Sequence, residues 1–217
     1  MSNRTVTAQF LRGTLVRFAA IFCISIAPGA IVLAGEHDHH HLAAEPPADE
    51  PLLQAPVKLP DLEVQTQDGR KVHFYRDLVK GRTVAANFIY TTCTAICSPM
   101  TANMREVQQL LGSDAAGKVE IISITIDPKL DTPSALKAFA QKFEAGPGWT
   151  FVTASPATIA KLQKGFAVSM SRKEDHTPLV IIGNDATGKW TRKFGLAHPE
   201  VIAAAIRQVA GLPEASP

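Results

Sequence analysis

The chain has 217 residues, 46% of them hydrophobic, enough for one domain with a full core plus additional segments. Its formal net charge is only +2, and beyond the N-terminus no basic stripe interleaved with aromatics appears, which argues against nucleic acid as a partner. The three cysteines, Cys23, Cys93 and Cys97, exclude a zinc ribbon, which needs a second close pair.

Residues 1–34 read as an export segment. Arg4, Arg12 and Arg17 precede an apolar run from Phe18 to Ala34, a positive region followed by an apolar one. Small residues before Gly35 fit cleavage after Ala34. The run is also nearly long enough to stay as an uncleaved membrane anchor, for which roughly 17–25 residues are usual. Either way the arginines stay inside and the domain is exported, periplasmic or anchored to the outer face of the inner membrane. Cys23 lies within this run behind Phe22 and reads as a passenger, not a lipid-attachment site. Residues 35–51, rich in His, Pro, Ala and acid, read as a disordered linker. Its His37, His39, His40 and His41 either hold a soft or borderline metal loosely or are simply solvated.

From Leu52 to Leu212 the pattern is globular, with residues 213–217 as a tail. LEVQTQDGRKVHF alternates around Asp68-Gly69, the signal of a two-residue hairpin turn. TVAANFIY is a buried strand. PMTANMREVQQLL carries Met100, Met104, Val107 and Leu111 at helical spacing and stops at Gly112. KVEIISITID is a second buried strand. TPSALKAFAQKF and SPATIAKLQKGF each open with a hydroxyl cap followed by proline, Thr132-Pro133 and Ser155-Pro156. WTFVTA is a short strand between these helices. PLVIIG and KWTRKFG are strands joined by NDATG, and HPEVIAAAIRQVAG closes the domain as a helix. Strands alternating with helices, then an antiparallel pair, predict an α/β fold: a central mixed sheet flanked by helices, with an N-terminal β-hairpin. This order resembles the thioredoxin-like fold. In open α/β sheets chemistry lies beyond the carboxyl ends of strands, and the cysteines follow TVAANFIY at once.

If Cys93 and Cys97 share the first helical turn, four residues of helix bring their α-carbons to about 6.2 Å. That lies within the window of about 4.4–6.8 Å for a disulfide and also allows one metal ion between two sulfurs. A helix start lowers a thiol pKa, which favours either role. A structural disulfide is the bland alternative, common in exported proteins. Closing a loop of about four residues, however, contributes only about 2 kcal/mol, against about 3 for fifteen. A metal site needs a further ligand, and His73, His176 and His198 are the candidates in the domain. His73 alternates with Val72 and Phe74 in the hairpin; His198 precedes Pro199-Glu200 as a helix-start residue. His176, in EDHTPLVIIG, feeds a buried strand from a loop expected beside the thiols. Two thiolates and one imidazole suit Cu(I) or Cu(II), whereas zinc wants a fourth ligand.

NFIYTTCTAICSPM, ITIDPKLDTP and EDHTP, in this order and spacing, resemble the SCO/SenC family of copper chaperones, and the likeness covers most of Leu59 to Ala210. The resemblance implies one copper ion held by Cys93, Cys97 and His176. It also implies a thioredoxin-like, exported or membrane-anchored protein. Its partner would be the copper-site subunit of cytochrome c oxidase, or another copper or thiol client, receiving copper or electrons. Thr94 and Ser98 stand where the family often has proline, and VSMSRKED is shorter than the family's segment. Pro178 resembles the proline that packs against the dithiol in thioredoxins. Asp127 and Asp131 are candidates for supporting the site, with Asp131 read more readily as a turn and helix cap. The competing function is an exported thiol-disulfide oxidoreductase using the Cys93/Cys97 dithiol. A peroxidase fits poorly: neither cysteine has the peroxiredoxin pairing of proline seven residues and threonine three residues upstream. Thr94 precedes Cys97, but Tyr90 stands in the proline position.

Overall fold

The structure, a computed structural model, describes residues 57–168 and 177–214. The export segment 1–34 with Cys23, the linker 35–51 with its histidines, His176 with most of VSMSRKED, and the last three residues lie outside the described residues.

The chain opens on a hairpin of β1 (Glu63–Thr66) and β2 (Lys71–His73). Its loop is not the expected two-residue turn. Gly69 N–H donates to the Thr66 carbonyl at 2.9 Å and Thr66 N–H to the Arg70 carbonyl at 2.9 Å, so Gln67, Asp68 and Gly69 form the loop. Gly69 takes φ 78°, a conformation glycine adopts without strain. The register explains the difference. Val64 pairs with Val72, placing both on the core face. A two-residue turn would slide the strands by one and set Val72 against Gln65. An unpredicted π-type turn, Phe74–Val79, follows and buries Phe74, Leu78 and Val79.

β3 (Thr83–Ile89) is buried along its whole length, as its unbroken apolar pattern demands. β4 (Val119–Thr125) and β5 (Trp149–Thr153) continue the parallel part. β6 (Leu179–Asn184) and β7 (Lys189–Phe194) are antiparallel. The order β2-β1-β5-β4-β3-β6-β7 forms one seven-stranded mixed sheet, with the N-terminal hairpin joined to β5. Helices α1 (Cys97–Leu111), α2 (Pro133–Lys142), α3 (Pro156–Gly165) and α4 (Pro199–Ala210) complete the fold. Two of them start as the sequence indicates. Thr132 Oγ1 accepts from Ala135 N–H at 3.3 Å, and Ser155 Oγ from Thr158 N–H at 3.2 Å.

One face of the sheet packs Met100, Met104 and Val107 of α1, Leu136 of α2 and Ile202 and Ile206 of α4. The other packs Ile159 and Leu162 of α3 and the π-type turn. The helical stripe read from the sequence is therefore the buried face of α1. No helix among the described residues is long and apolar enough to cross a membrane.

Arg207 of α4 is buried, and its guanidinium holds the end of α1. It donates to the carbonyls of Leu110 (3.1 Å), Leu111 (3.2 Å) and Pro213 (2.8 Å). Arg207→Ala strands those acceptors, so it is expected to lower stability by about 2–3 kcal/mol, read as a lower urea midpoint with unchanged slope.

Candidate metal centre

Pro99 decides where α1 starts. Beyond the first turn a proline removes an intrahelical donor and collides with the carbonyl four residues back, so the helix cannot begin much before Ile96. Cys97 is its first residue, and Cys93 lies in the turn before it, contrary to the expectation that both thiols share one helical turn. The proline was a readable sign of this. Ile96, at the cap position, offers no side-chain acceptor. Sulfur supplies it instead: Cys97 N–H donates to Cys93 Sγ at 3.4 Å. Ser98 Oγ donates back to the Cys93 carbonyl at 3.1 Å, and Cys93 N–H to the Tyr90 carbonyl at 3.1 Å. Both cysteines are free thiols, and both are buried.

Their environments differ. Burial pushes the Cys93 thiol up, but the backbone N–H groups of Cys97 and Ile96, with hydrogen bonds from the Tyr90 and Cys97 side chains, outweigh it and bring it down to about 7. Cys97 is fully enclosed, and burial pushes its thiol up to about 12. A backbone hydrogen bond at Tyr90 opposes that rise, while Cys93 and the charge of Asp131 add to it. Of two sulfurs four residues apart, one is ready to be a thiolate and the other is held as a thiol.

Asp131 is not the helix cap; Thr132 is. Asp131 is completely buried, and its carboxylate accepts from Thr91 N–H (3.2 and 3.3 Å) and from the hydroxyls of Thr91 and Thr125. It thereby joins the loop after β4 to the loop that carries Cys93. Asp127 stands at the turn below: its carbonyl accepts from Leu130 N–H (3.1 Å) and Asp131 N–H (2.9 Å), and its N–H donates to Thr125 Oγ1 at 3.0 Å. The turn reading of DPKLDTP holds, and the cap is Thr132, as its Thr-Pro pair indicates, not Asp131.

The histidines separate by topology. His73 ends β2 at a sheet edge, with β1, β5 and β4 between it and β3, and its Nδ1 lies 3.4 Å from Asp61 Oδ2. His198 stands at the N-cap position of α4 without a capping side-chain hydrogen bond and is exposed. Among the described residues, no three His, Cys, Asp or Glu side chains gather as a metal-binding group. β6 runs antiparallel to β3, so its beginning lies at the end where β3 releases the cysteine loop. Pro178, just before β6, is buried, and its carbonyl accepts from Gly195 N–H at 2.8 Å. Gly195 is required there: a Cβ would stand 2.6 Å from Met100 Sδ in the first turn of α1.

The thiol pair therefore stands at the carboxyl end of a central strand of this sheet. The SCO1/SenC family profile matches residues 55–211. The chain belongs to the SCO1/SenC family. An SCO1 protein homolog of Bacillus subtilis is 40% identical over 90 residues, 41% of this chain, which span only 45% of that relative's length. The fold superposes on ScoI of Bradyrhizobium japonicum, solved with copper bound, with TM-score 0.58 and 27% identity over 70% of this chain and 99% of that one. It also superposes on BsSco, described as a member of the Sco family of cytochrome c oxidase assembly proteins with a disulfide switch. There the TM-score is 0.62 and identity 28% over 77% of this chain and all of that one. The thioredoxin-like fold expected from the strand order is thus the fold of this SCO1/SenC domain.

The unequal thiols of the SCO1/SenC domain make a direct expectation. A thiol reacts as the thiolate, so alkylation of the reduced protein by iodoacetamide should rise through a midpoint near pH 7 and fall on Cys93. Cys97 should remain unmodified across neutral pH. Peptide mass spectrometry at stepped pH checks both; equal labelling of the two would contradict the geometry.

Proposed function

We propose that this SCO1/SenC protein is a copper carrier that assists assembly of the dinuclear copper site of a cytochrome c oxidase. One copper ion, as Cu(I) or Cu(II), is its cargo, held by the sulfurs of Cys93 and Cys97 and the imidazole of His176. The observation that carries the reading is the pair of free thiols joined by the Cys97 N–H to Cys93 Sγ hydrogen bond, at the end of β3. Two sulfurs so placed are soft donors of the kind copper prefers. The copper-bound ScoI relative supports the metal, and BsSco's description supports the assembly role. His176 is supported by its sequence position, two residues before the buried Pro178 that leads into β6. The client is the oxidase's copper-site subunit or another copper or thiol protein. The arginine-flanked apolar segment 1–34 exports the domain to the periplasm or anchors it to the outer face of the inner membrane.

A second reading rests on the thiol asymmetry. A sulfur near pKa 7 beside one near 12 is the arrangement of an attacking and a resolving cysteine. Cys93 thiolate attacks a client disulfide and forms a mixed disulfide. Cys97 then gives up its proton and displaces the client's sulfur, so the client gains two electrons and the Cys93–Cys97 disulfide forms.

His176→Ala separates the two. A carrier loses one of three donors, and its Cu(I) affinity against a competing chelator should fall by at least about tenfold, or about 1.4 kcal/mol. Exchange with a glutathione buffer should be largely intact, because it depends on thiolate fraction and access. Cys93→Ser or Cys97→Ser should abolish both. Unchanged copper affinity in His176→Ala would remove the third ligand and leave the oxidoreductase. For the export reading, a reporter active only in the cytoplasm and fused after Pro217 should be silent; activity there contradicts export.

A further inference from the structure

We propose that the surface around the thiols is a docking face for the client protein: an uncharged loop flanked by Leu130 on one side and by Leu196 and Phe194 on the other. It seats an equally uncharged, apolar-rimmed loop that bears the client's own thiols or copper ligands. The inference deepens the carrier reading and rests on it. Among the described residues five large hydrophobic side chains are exposed, and three of them, Leu130 (56%), Leu196 (41%) and Phe194 (38%), gather at the thiol end of the sheet. A lone exposed leucine is ordinary. These side chains share one end, and both leucines are held outward by fixed backbone.

Leu130 lies at the tip of the turn after β4. Its N–H and that of Asp131 donate to the Asp127 carbonyl (3.1 and 2.9 Å), and its own carbonyl accepts from Thr132 N–H at 2.9 Å. Asp131 is tied inward to Thr91, two residues from Cys93, so Leu130 stands outside and next to the thiol loop. On the other side β7 runs parallel to β3, because both are antiparallel to β6, and it therefore ends at Phe194 on the thiol end. Asn103 of α1 donates to the carbonyls of Gly195 (3.0 Å) and Ala197 (2.8 Å). Gly195 and Ala197 are buried by this, and Leu196 between them is left outside. β4 and β7 are three strand spacings apart, about 14 Å, and the cysteine loop issues from β3 between them.

Between these flanks, the chain from Tyr90 to Met104 contains no Asp, Glu, Lys, Arg or His. Thr92, Thr94, Ala95 and Pro99 are exposed on it, and Lys129, beside Leu130, puts a charge at its edge. Depletion of charge at the centre of a patch marks the core of a protein–protein contact. Cys93 is only 8% exposed and Cys97 not at all, so a partner reaches them only by pressing close over this loop. Flanks already fixed in place lose little freedom when covered.

The test measures binding of the copper-free, reduced full chain to the soluble domain of the oxidase subunit that carries the dinuclear copper site. Leu130→Ser combined with Leu196→Ser should weaken binding by at least about tenfold, or about 1.4 kcal/mol. Both leucines are exposed, so serine leaves the core intact. Leu110→Ser combined with Val201→Ser, the other exposed pair, should bind as the natural chain does. Cu(I) affinity against a competing chelator should be the same in all of these chains. Unweakened binding in the Leu130/Leu196 variant, or equal weakening in the Leu110/Val201 variant, would overturn the proposal. So would a tenfold loss of Cu(I) affinity in the Leu130/Leu196 variant, which would make the leucines part of the metal site. Self-association that the Leu130/Leu196 substitutions abolish, with no binding of the oxidase domain, would assign the face to a second copy and likewise overturn it. A natural chain that holds copper but does not bind the oxidase domain defeats the docking proposal alone; one that binds the domain but holds no copper defeats the carrier reading alone.

Discussion

The hydrogen bond from the Cys97 N–H to the Cys93 sulfur organises this molecule's functional end. A helix start leaves amide donors without carbonyl partners, and these must find acceptors. α1 has no Ser, Thr, Asp or Asn at its cap, and Pro99 prevents it from starting earlier. The Cys93 sulfur fills the gap. A sulfur that accepts amide hydrogen bonds is stabilised as a thiolate, so the need to finish a helix and the need for a reactive sulfur are met by one contact.

That contact depends on the sheet behind it. β3 is buried on both faces and lies between β4 and β6. Its end, the end of β4 and the beginning of β6 therefore meet, and each delivers a part: the thiols, the Thr125–Asp131 clamp, and the Pro178 turn. Met100 in the first turn of α1 lies against Gly195, which is bonded to Pro178. The helix that carries Cys97 is thus packed against the strand pair that follows His176 in the chain. The far end of α1 is tied by Arg207, so the helix is held at both ends.

Most of the fold was legible because its signals are local. Buried strands, the Met100–Met104–Val107–Leu111 stripe and the Thr132-Pro133 and Ser155-Pro156 helix starts need only near neighbours to act. The hairpin loop was misread because Asp68-Gly69 is also compatible with a longer loop, and the choice is made by Val64 meeting Val72. Asp131 was misread for a similar reason. An Asp before Thr-Pro looks like a cap, but its partner Thr91 is 40 residues away. Arg207 reaches carbonyls 96 and 97 residues away, and no local pattern announces such a contact.

The sequence by itself determined the α/β order, the SCO/SenC motifs and the placing of two cysteines just past a buried strand, since spacing, caps and apolar periodicity are properties of short stretches. Only the tertiary structure decided how those cysteines differ. Burial among distant segments pushes both thiols up; at Cys93 the amides of the helix start outweigh it, and at Cys97 the carboxylate of Asp131, from the loop after β4, adds to it. Chemically identical side chains four residues apart become unequal because a thiol's charge is governed by what surrounds it in space.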